Sequence, residues 1–234
     1  LFSNCFVNHP VCMPSRASTI TGRSCQHHGL FYNGWELANE LPTFPQVMQH
    51  SGIQTLGVGK FHLQCHGRGI YNDVKQYGFD RAEVTEDIRA GDWLDWVSKT
   101  HPDCYSQALA TTWTGPQLSG VVRDGEPLDS AVQRAKQRHG FELDATRPAP
   151  SLVPEKACQT RWIADRAMAF MSERAPNTPF FLKMSFVDPH DPYDPPERFL
   201  DLIDPQAVPD PIKSEDEALT DILRRFDNNP FVRN

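Results

Sequence analysis

Five side chains at three places along the chain are of the types that handle a tetrahedral anion: Cys12 with Arg16, Lys60 with His62, and His190. Cys12 stands two residues before Pro14, whose fixed φ suits the first turn of a helix. Ala17, Ile20 and Thr21 then face a core, and Gly22 ends the helix. Cys12 thereby falls at a helix N-terminus, where free N–H groups and the helix dipole favour an anion. Arg16, one turn on, adds a planar fork of donors that matches an oxyanion. Lys60 and His62, if extended, project to one face while Phe61 points to the other. A cation and a titratable imidazole then converge, as a site for a dianionic ester requires. His190 follows an apolar strand, and active residues of open α/β sheets gather at the carboxyl ends of strands. Each position also has a plainer reading: a buried cysteine at a proline-started helix, a solvated strand end, and a proline-stiffened turn with Asp188 and Asp191 as caps.

The elements that must position these residues follow an α/β rhythm. A strand is expected at Phe2 to Val7, then the Pro14 helix and a polar loop from Ser24 to Glu40. Thr43 is a good N-cap for a helix whose face is Phe44, Val47 and Met48, ended by Gly52. Gln54 to Gly59 reads as a strand. Periodicity weakens from Gly67 to about Pro154, although Asp92 to Lys99 reads as a helix with Trp93, Trp96 and Val97 on one side. Arg123 to Arg147 is charged and reads as exposed. Ile163, Ala167, Phe170 and Met171 then mark an amphipathic helix closed by Pro176. The apolar run from Pro179 to Val187 suits a buried central strand of a mostly parallel sheet. Pro195 to Ile212 reads as loop. Ser214 with Glu217 forms a capping box for a last helix carrying Leu219, Ile222, Leu223 and Phe226. The expectation is an α/β fold with a mostly parallel central sheet flanked by helices.

Bulk properties narrow the field. The 234 residues suffice for one large domain with a substantial core. A formal charge of −7 with no Lys/Arg-rich block argues against nucleic acid as a partner. No apolar run approaches the length of a membrane span. Six cysteines are too few for a disulfide scaffold, so they do not define a compartment.

Cys12-Met13-Pro14-Ser15-Arg16, followed by Ala17-Ser18 and Thr21-Gly22-Arg23, resembles the signature of the formylglycine-dependent sulfatases. Gly52-x-x-Thr55-x-x-x-Gly59-Lys60-x-His62 is similar to that family's second signature. Pro189-His190 after Phe180-Phe181-Leu182 resembles its third active-site motif. The resemblance implies an alkaline-phosphatase/sulfatase-like fold, here incomplete. On that basis residues 1–66 carry the nucleophile and Lys-x-His motifs, 67–154 are a variable insert, and 155–234 carry a helix, the core strand with His190 and a final helix. It further implies that Cys12 is converted to Cα-formylglycine by a formylglycine-generating enzyme and serves as nucleophile and metal ligand. Arg16 would orient the hydrated aldehyde, Lys60 would contact the sulfate, His62 would act as base near the hydrate hydroxyl, and His190 would help protonate the leaving oxygen. The implied reaction is hydrolysis of a small-molecule or carbohydrate sulfate ester, and the implied metal is calcium.

The family's remaining calcium ligands do not stand where the pattern puts them. The first aspartate is Asp73, so no Asp-Asp pair precedes Cys12, and Asp227-Asn228 reads as a turn. The chain is therefore read as an internal segment whose other metal ligands lie outside it, weak in metal binding and inactive by itself. Lys183 matches no functional position. Two other functions were weighed against this one. A phosphonate monoester or phosphodiester hydrolase would need the same anion clamp. A zinc-binding structural module would draw on Cys25, His27, His28, His62, Cys65 and His66.

Overall fold

The computed structural model describes residues 4–142 and 148–210. Helix α1 spans Cys12–Thr21, with extended Val11 as its N-cap and Pro14 in its first turn, as expected. Gly22, in the left-handed region at φ 66°, stops it and returns its N–H to the Ser18 carbonyl. Met13, Ala17 and Ile20 are buried. Of the strand expected at 2–7, the described part is not extended into a sheet: Asn4–Val7 are irregular and Phe6 is 88% exposed. A single turn, α2 (Cys25–His28), interrupts the loop that follows.

Helix α3 (Phe44–His50) opens with a complete capping box between Thr43 and Gln46. Thr43 is buried because its hydroxyl also donates to the Tyr77 carbonyl at 2.7 Å. Val47, expected on the core face, is exposed. Strand β1 (Gln54–Gly59) then lies between β2 (Arg81–Val84) and β5 (Phe180–Ser185), and both pairings are parallel. Asp80 pins the start of β1 by accepting both the N–H and the hydroxyl of Thr55, at 2.8 and 3.0 Å.

Alternation along β1 divides the core. Leu56 and Val58 join a cluster with Trp93 and Trp162, while the opposite face belongs to a cluster of Met13, Phe61 and Phe79. Glycine at 57 makes room for the second, since a Cβ there would stand 2.4 Å from the Phe61 ring. Gly59 is more constrained. Its φ is +97° and a Cβ would meet the Ser185 carbonyl oxygen at 1.9 Å, which also accepts the Lys60 N–H. Gly59→Ala is expected to lower stability by at least about 2–3 kcal/mol, measured as a fall in the urea midpoint.

Between β2 and β5 run α4 (Asp92–Thr100), α5 (Tyr105–Thr111), a short hairpin of β3 (Val122–Arg123) and β4 (Glu126–Pro127), α6 (Leu128–His139) and α7 (Gln159–Glu173). Helix α6 corrects the reading of residues 123–147 as merely exposed, because Leu128, Val132 and Ala135 form a buried stripe. Helix α7 buries Ile163, Ala167 and Phe170 as their spacing predicts, whereas Met171 is exposed. Strand β5 is the larger correction. Among the described strands it pairs with β1 alone, and Phe180 and Met184 are exposed, so it is an edge rather than a buried centre.

The chain divides into two compact units, Leu1–Leu200 and Asp201–Asn234. The described residues of the second are exposed and include a short turn of 3₁₀ helix, Pro205–Ala207. The final helix expected from Ser214, and Asp227-Asn228, lie outside the described residues.

Candidate active site

Cys12 is the first residue of α1 and half-buried. It lines a cavity of about 520 Å³ together with His9, Arg16, Phe61, Lys183 and Ser185. The Arg16 guanidinium is fixed from one side, donating through Nη1 to the Lys60 carbonyl at 3.0 Å and to Ser185 Oγ at 3.2 Å. That bond fastens the helix start to the carboxyl ends of β1 and β5. Lys183 Nζ donates to the same carbonyl at 2.6 Å and lies 4.2 Å from the centre of the Phe61 ring. Burial, with the Arg16 charge adding to it, pushes Lys183 down to about 7. The cavity thus presents a thiol at a helix N-terminus, the Arg16 cation and a lysine whose charge burial weakens.

Lys60 and His62 stand just beyond β1, but not as alternating extended residues. The strand ends at Gly59, and His62 adopts a left-handed φ of 49°. Both are buried. What organises them is an acidic pair that the sequence reading did not single out, Glu86 and Asp87. Asp87 Oδ2 takes Lys60 Nζ at 2.9 Å and lies 3.1 Å from His190 Nε2. Glu86 Oε1 accepts the backbone N–H groups of Phe61 and His62, at 3.2 and 2.8 Å, which holds the His62 backbone in place. The His62 ring stacks on His66, with centres 4.3 Å apart.

Burial sets the charges in this cluster. It pushes His62 well down, with the neighbouring His66 ring adding to the fall, so the imidazole is neutral near pH 7. It likewise lowers His66. Glu86 is raised by burial to about 7, against the opposing pull of the His62 N–H and Lys60. Burial would also raise Asp87, but the Lys60 ammonium overrides it and holds the carboxyl well below its usual range.

His190 follows β5 as expected and lines a second cavity, of about 550 Å³, with Arg89, Arg161, Asp188, Phe186 and Tyr193. Its Nδ1 lies 3.1 Å from Asp191 Oδ1, so Asp191 positions the ring as well as shaping the turn. Arg89 braces the same loop through a two-pronged pair with Asp194, at 2.5 and 2.8 Å.

The five predicted residues therefore fall into two linked groups. Lys60 and His190 meet at Asp87, with His62 beside them. Cys12 and Arg16 occupy the other cavity, joined to the first group through the Lys60 carbonyl. Among the described residues no hydrogen bond or ion pair connects Cys12 to Lys60, His62 or His190. Of the six ligands weighed for a zinc module, only His62 and His66 come together. His28 is bonded to Ser18 at 2.9 Å, Cys25 lies 3.9 Å from the same hydroxyl, and His27 is bonded to Ser24 at 2.7 Å.

The parallel sheet flanked by helices is of the alkaline-phosphatase-like α/β class. Solved structures agree: the phosphonate monoester hydrolase of Agrobacterium radiobacter matches over 93% of this chain and 39% of its own, with a TM-score of 0.61 and 18% identity. That of Silicibacter pomeroyi matches over 91% and 38%, with a TM-score of 0.59 and 21% identity. The sulfatase family model matches residues 1–203, and the chain belongs to the sulfatase family. An arylsulfatase of Clostridium perfringens is 26% identical over 92% of this chain and 40% of its own length. A ulvan-active sulfatase of Formosa agariphila is 35% identical over 57% of this chain and 27% of its own. Human iduronate 2-sulfatase is 26% identical over 90% and 33%. The chain thus spans less than half the length of these curated relatives. No described helix is long and apolar enough to cross a membrane.

The metal expected from the family is a hard cation that takes six to eight oxygen ligands. The group of described residues that could hold an ion is His62, His66, Glu86 and Asp87, and Cys12 is not part of it. Two of its four members offer imidazole nitrogen, so this donor set does not fit calcium.

Proposed function

We propose that the protein hydrolyses sulfate esters, of a small molecule or a carbohydrate, using a Cα-formylglycine made from Cys12 by a formylglycine-generating enzyme. The observation that carries this reading is Cys12 at the N-terminus of α1 with the Arg16 guanidinium one turn on, in a chain that belongs to the sulfatase family. The hydrated aldehyde supplies a nucleophile that a thiol at this position does not.

The chain's own residues then have defined tasks. Arg16, already tied to β1 and β5, holds the nucleophile and balances negative charge. Lys60 brings an ammonium to the anion. His62 is the base on this reading; burial keeps it neutral and opposes its protonation, so it takes a proton only when the incoming anion offsets that burial. His190, oriented through Nδ1 by Asp191, has Nε2 directed at an anion, at present Asp87, and would protonate the leaving oxygen. No step is assigned to calcium, whose ligand set the described residues do not provide.

The test is the mass of the Cys12 peptide from protein matured in its own host, paired with turnover of an aryl sulfate and an aryl phosphonate. The expected results are a peptide lightened by replacement of sulfur with oxygen and faster turnover of the sulfate. Active protein with an unmodified cysteine would overturn the mechanism, and preferred turnover of the phosphonate would overturn the substrate.

A further inference from the structure

We infer that His62, His66, Glu86 and Asp87 form a binding site for a borderline divalent transition metal of the zinc class, distinct from the calcium site the family implies. One donor atom from each residue lies within 4.8 Å of the others. Independently, each of the four carries a buried polar atom with no hydrogen-bond partner: His62 Nδ1, His66 Nε2, Glu86 Oε2 and Asp87 Oδ1. Nine such atoms occur among the described residues, and nearly half of them are concentrated in this one group. Orphaned polar atoms at this depth are costly, and four in one place call for a shared partner.

The division of labour within each carboxylate supports this. Glu86 commits Oε1 to two backbone N–H groups and leaves Oε2 free. Asp87 commits Oδ2 to Lys60 and His190 and leaves Oδ1 free. His66 Nε2 and Asp87 Oδ1 approach to 3.2 Å without hydrogen-bond geometry between them. Two ligands on one tetrahedral zinc stand about 3.3 Å apart, given metal–ligand bonds of about 2.0–2.1 Å. Two imidazole nitrogens and two carboxylate oxygens match zinc or cobalt, whereas calcium takes oxygen alone. The committed halves of Glu86 and Asp87 also supply the outer hydrogen bonds that orient metal ligands.

Loading requires one rearrangement. The His62 and His66 rings are stacked within 6° of parallel, and an ion bound by both must lie near each ring plane. The His62 backbone is tied to Glu86 and the residue is only 3% exposed, so His66 is the ring with room to swing. It is the more exposed of the two and opens a short turn containing Gly67. The site adjoins the ester-cleaving group and shares His62 with it, so His62 cannot hold a metal and act as base at the same time.

The test is calorimetry of the 234-residue chain with Zn²⁺ and with Ca²⁺, together with the visible spectrum of the Co²⁺ form. One equivalent of Zn²⁺ is expected, with no competition from equimolar Ca²⁺. His66→Ala and Glu86→Gln are each expected to weaken binding by at least about 10–100-fold. His139→Ala, which removes a histidine bonded to Ser106, is expected to bind as the parent does. Circular dichroism confirms that each variant is folded, and His66, at the surface side of the cluster, keeps the test open should Glu86→Gln not fold. Undiminished Zn²⁺ binding by folded His66→Ala, displacement by Ca²⁺, or a thiolate charge-transfer band in the Co²⁺ spectrum would overturn the site. None of these readouts depends on sulfatase activity, so failure here and failure of the ester-hydrolysis reading are separable.

Discussion

Cys12→Ala is expected, on the proposed function, to reduce aryl sulfate hydrolysis by the matured protein on the order of 10⁴-fold or more, the usual cost of removing a nucleophile from a site whose other parts remain. The substitution should leave the fold intact. Cys12 is half-buried at the mouth of a cavity, its helix starts from Val11, and alanine is a good helix former. Unchanged thermal stability with lost turnover is therefore the expected pair of results. Cys5→Ala, at an exposed thiol outside the cavity, should keep full activity. A Cys12→Ala enzyme within tenfold of the parent would remove the residue from the chemistry.

Asp87→Asn is expected to cost about 3–5 kcal/mol of folding stability, because it leaves the buried Lys60 ammonium without its counter-charge. Lys60 is 1% exposed, so water cannot replace the lost carboxylate. His190 Nε2 loses its carboxylate neighbour at the same time. A loss of that size is a large share of the 5–15 kcal/mol typical of a domain. Urea denaturation of parent and variant measures it. Lys60→Met with Asp87→Asn should recover part of the loss, since an apolar side chain then fills the space the ammonium occupied. If Asp87→Asn alone shifts the midpoint only marginally, the ion pair is not holding the loops together.

Much of the scaffold was legible in the chain. Strand β1 has its expected ends because Gly52 and Gly59 bracket a short apolar stretch, and α7 was readable from the spacing of Ile163, Ala167 and Phe170. The misreadings have physical causes. The run from Phe180 onward reports a capacity for burial, but the neighbours that decide centre or edge are not encoded locally, and among the described strands β5 pairs with β1 alone. Helix α6 was hidden because its polar residues outnumber the three that face inward.

The candidate residues could be named from their types and spacing, whereas their arrangement could not. Lys60, His62 and His190 come together, yet alternation was the wrong reason, since His62 leaves the extended region altogether. Glu86 and Asp87 carried no local signal. They are buried acids whose hydrogen-bond donors Lys60 and His62 stand 27 and 24 residues upstream, with His190 reaching Asp87 from far downstream. Lys183 looked like one more strand residue, and only the pairing of β5 with β1 brings it to the cavity that holds Cys12.

The carboxylate shared by Lys60 and His190 makes this centre self-competing. Any incoming oxyanion must evict a tethered rival that never diffuses away, and raising ligand concentration does not dilute it. Apparent affinity is then the intrinsic affinity scaled by the fraction of molecules in which both grips stand vacant. A weak measured dissociation constant for free sulfate would accordingly report the strength of the internal occupant as much as the quality of the pocket.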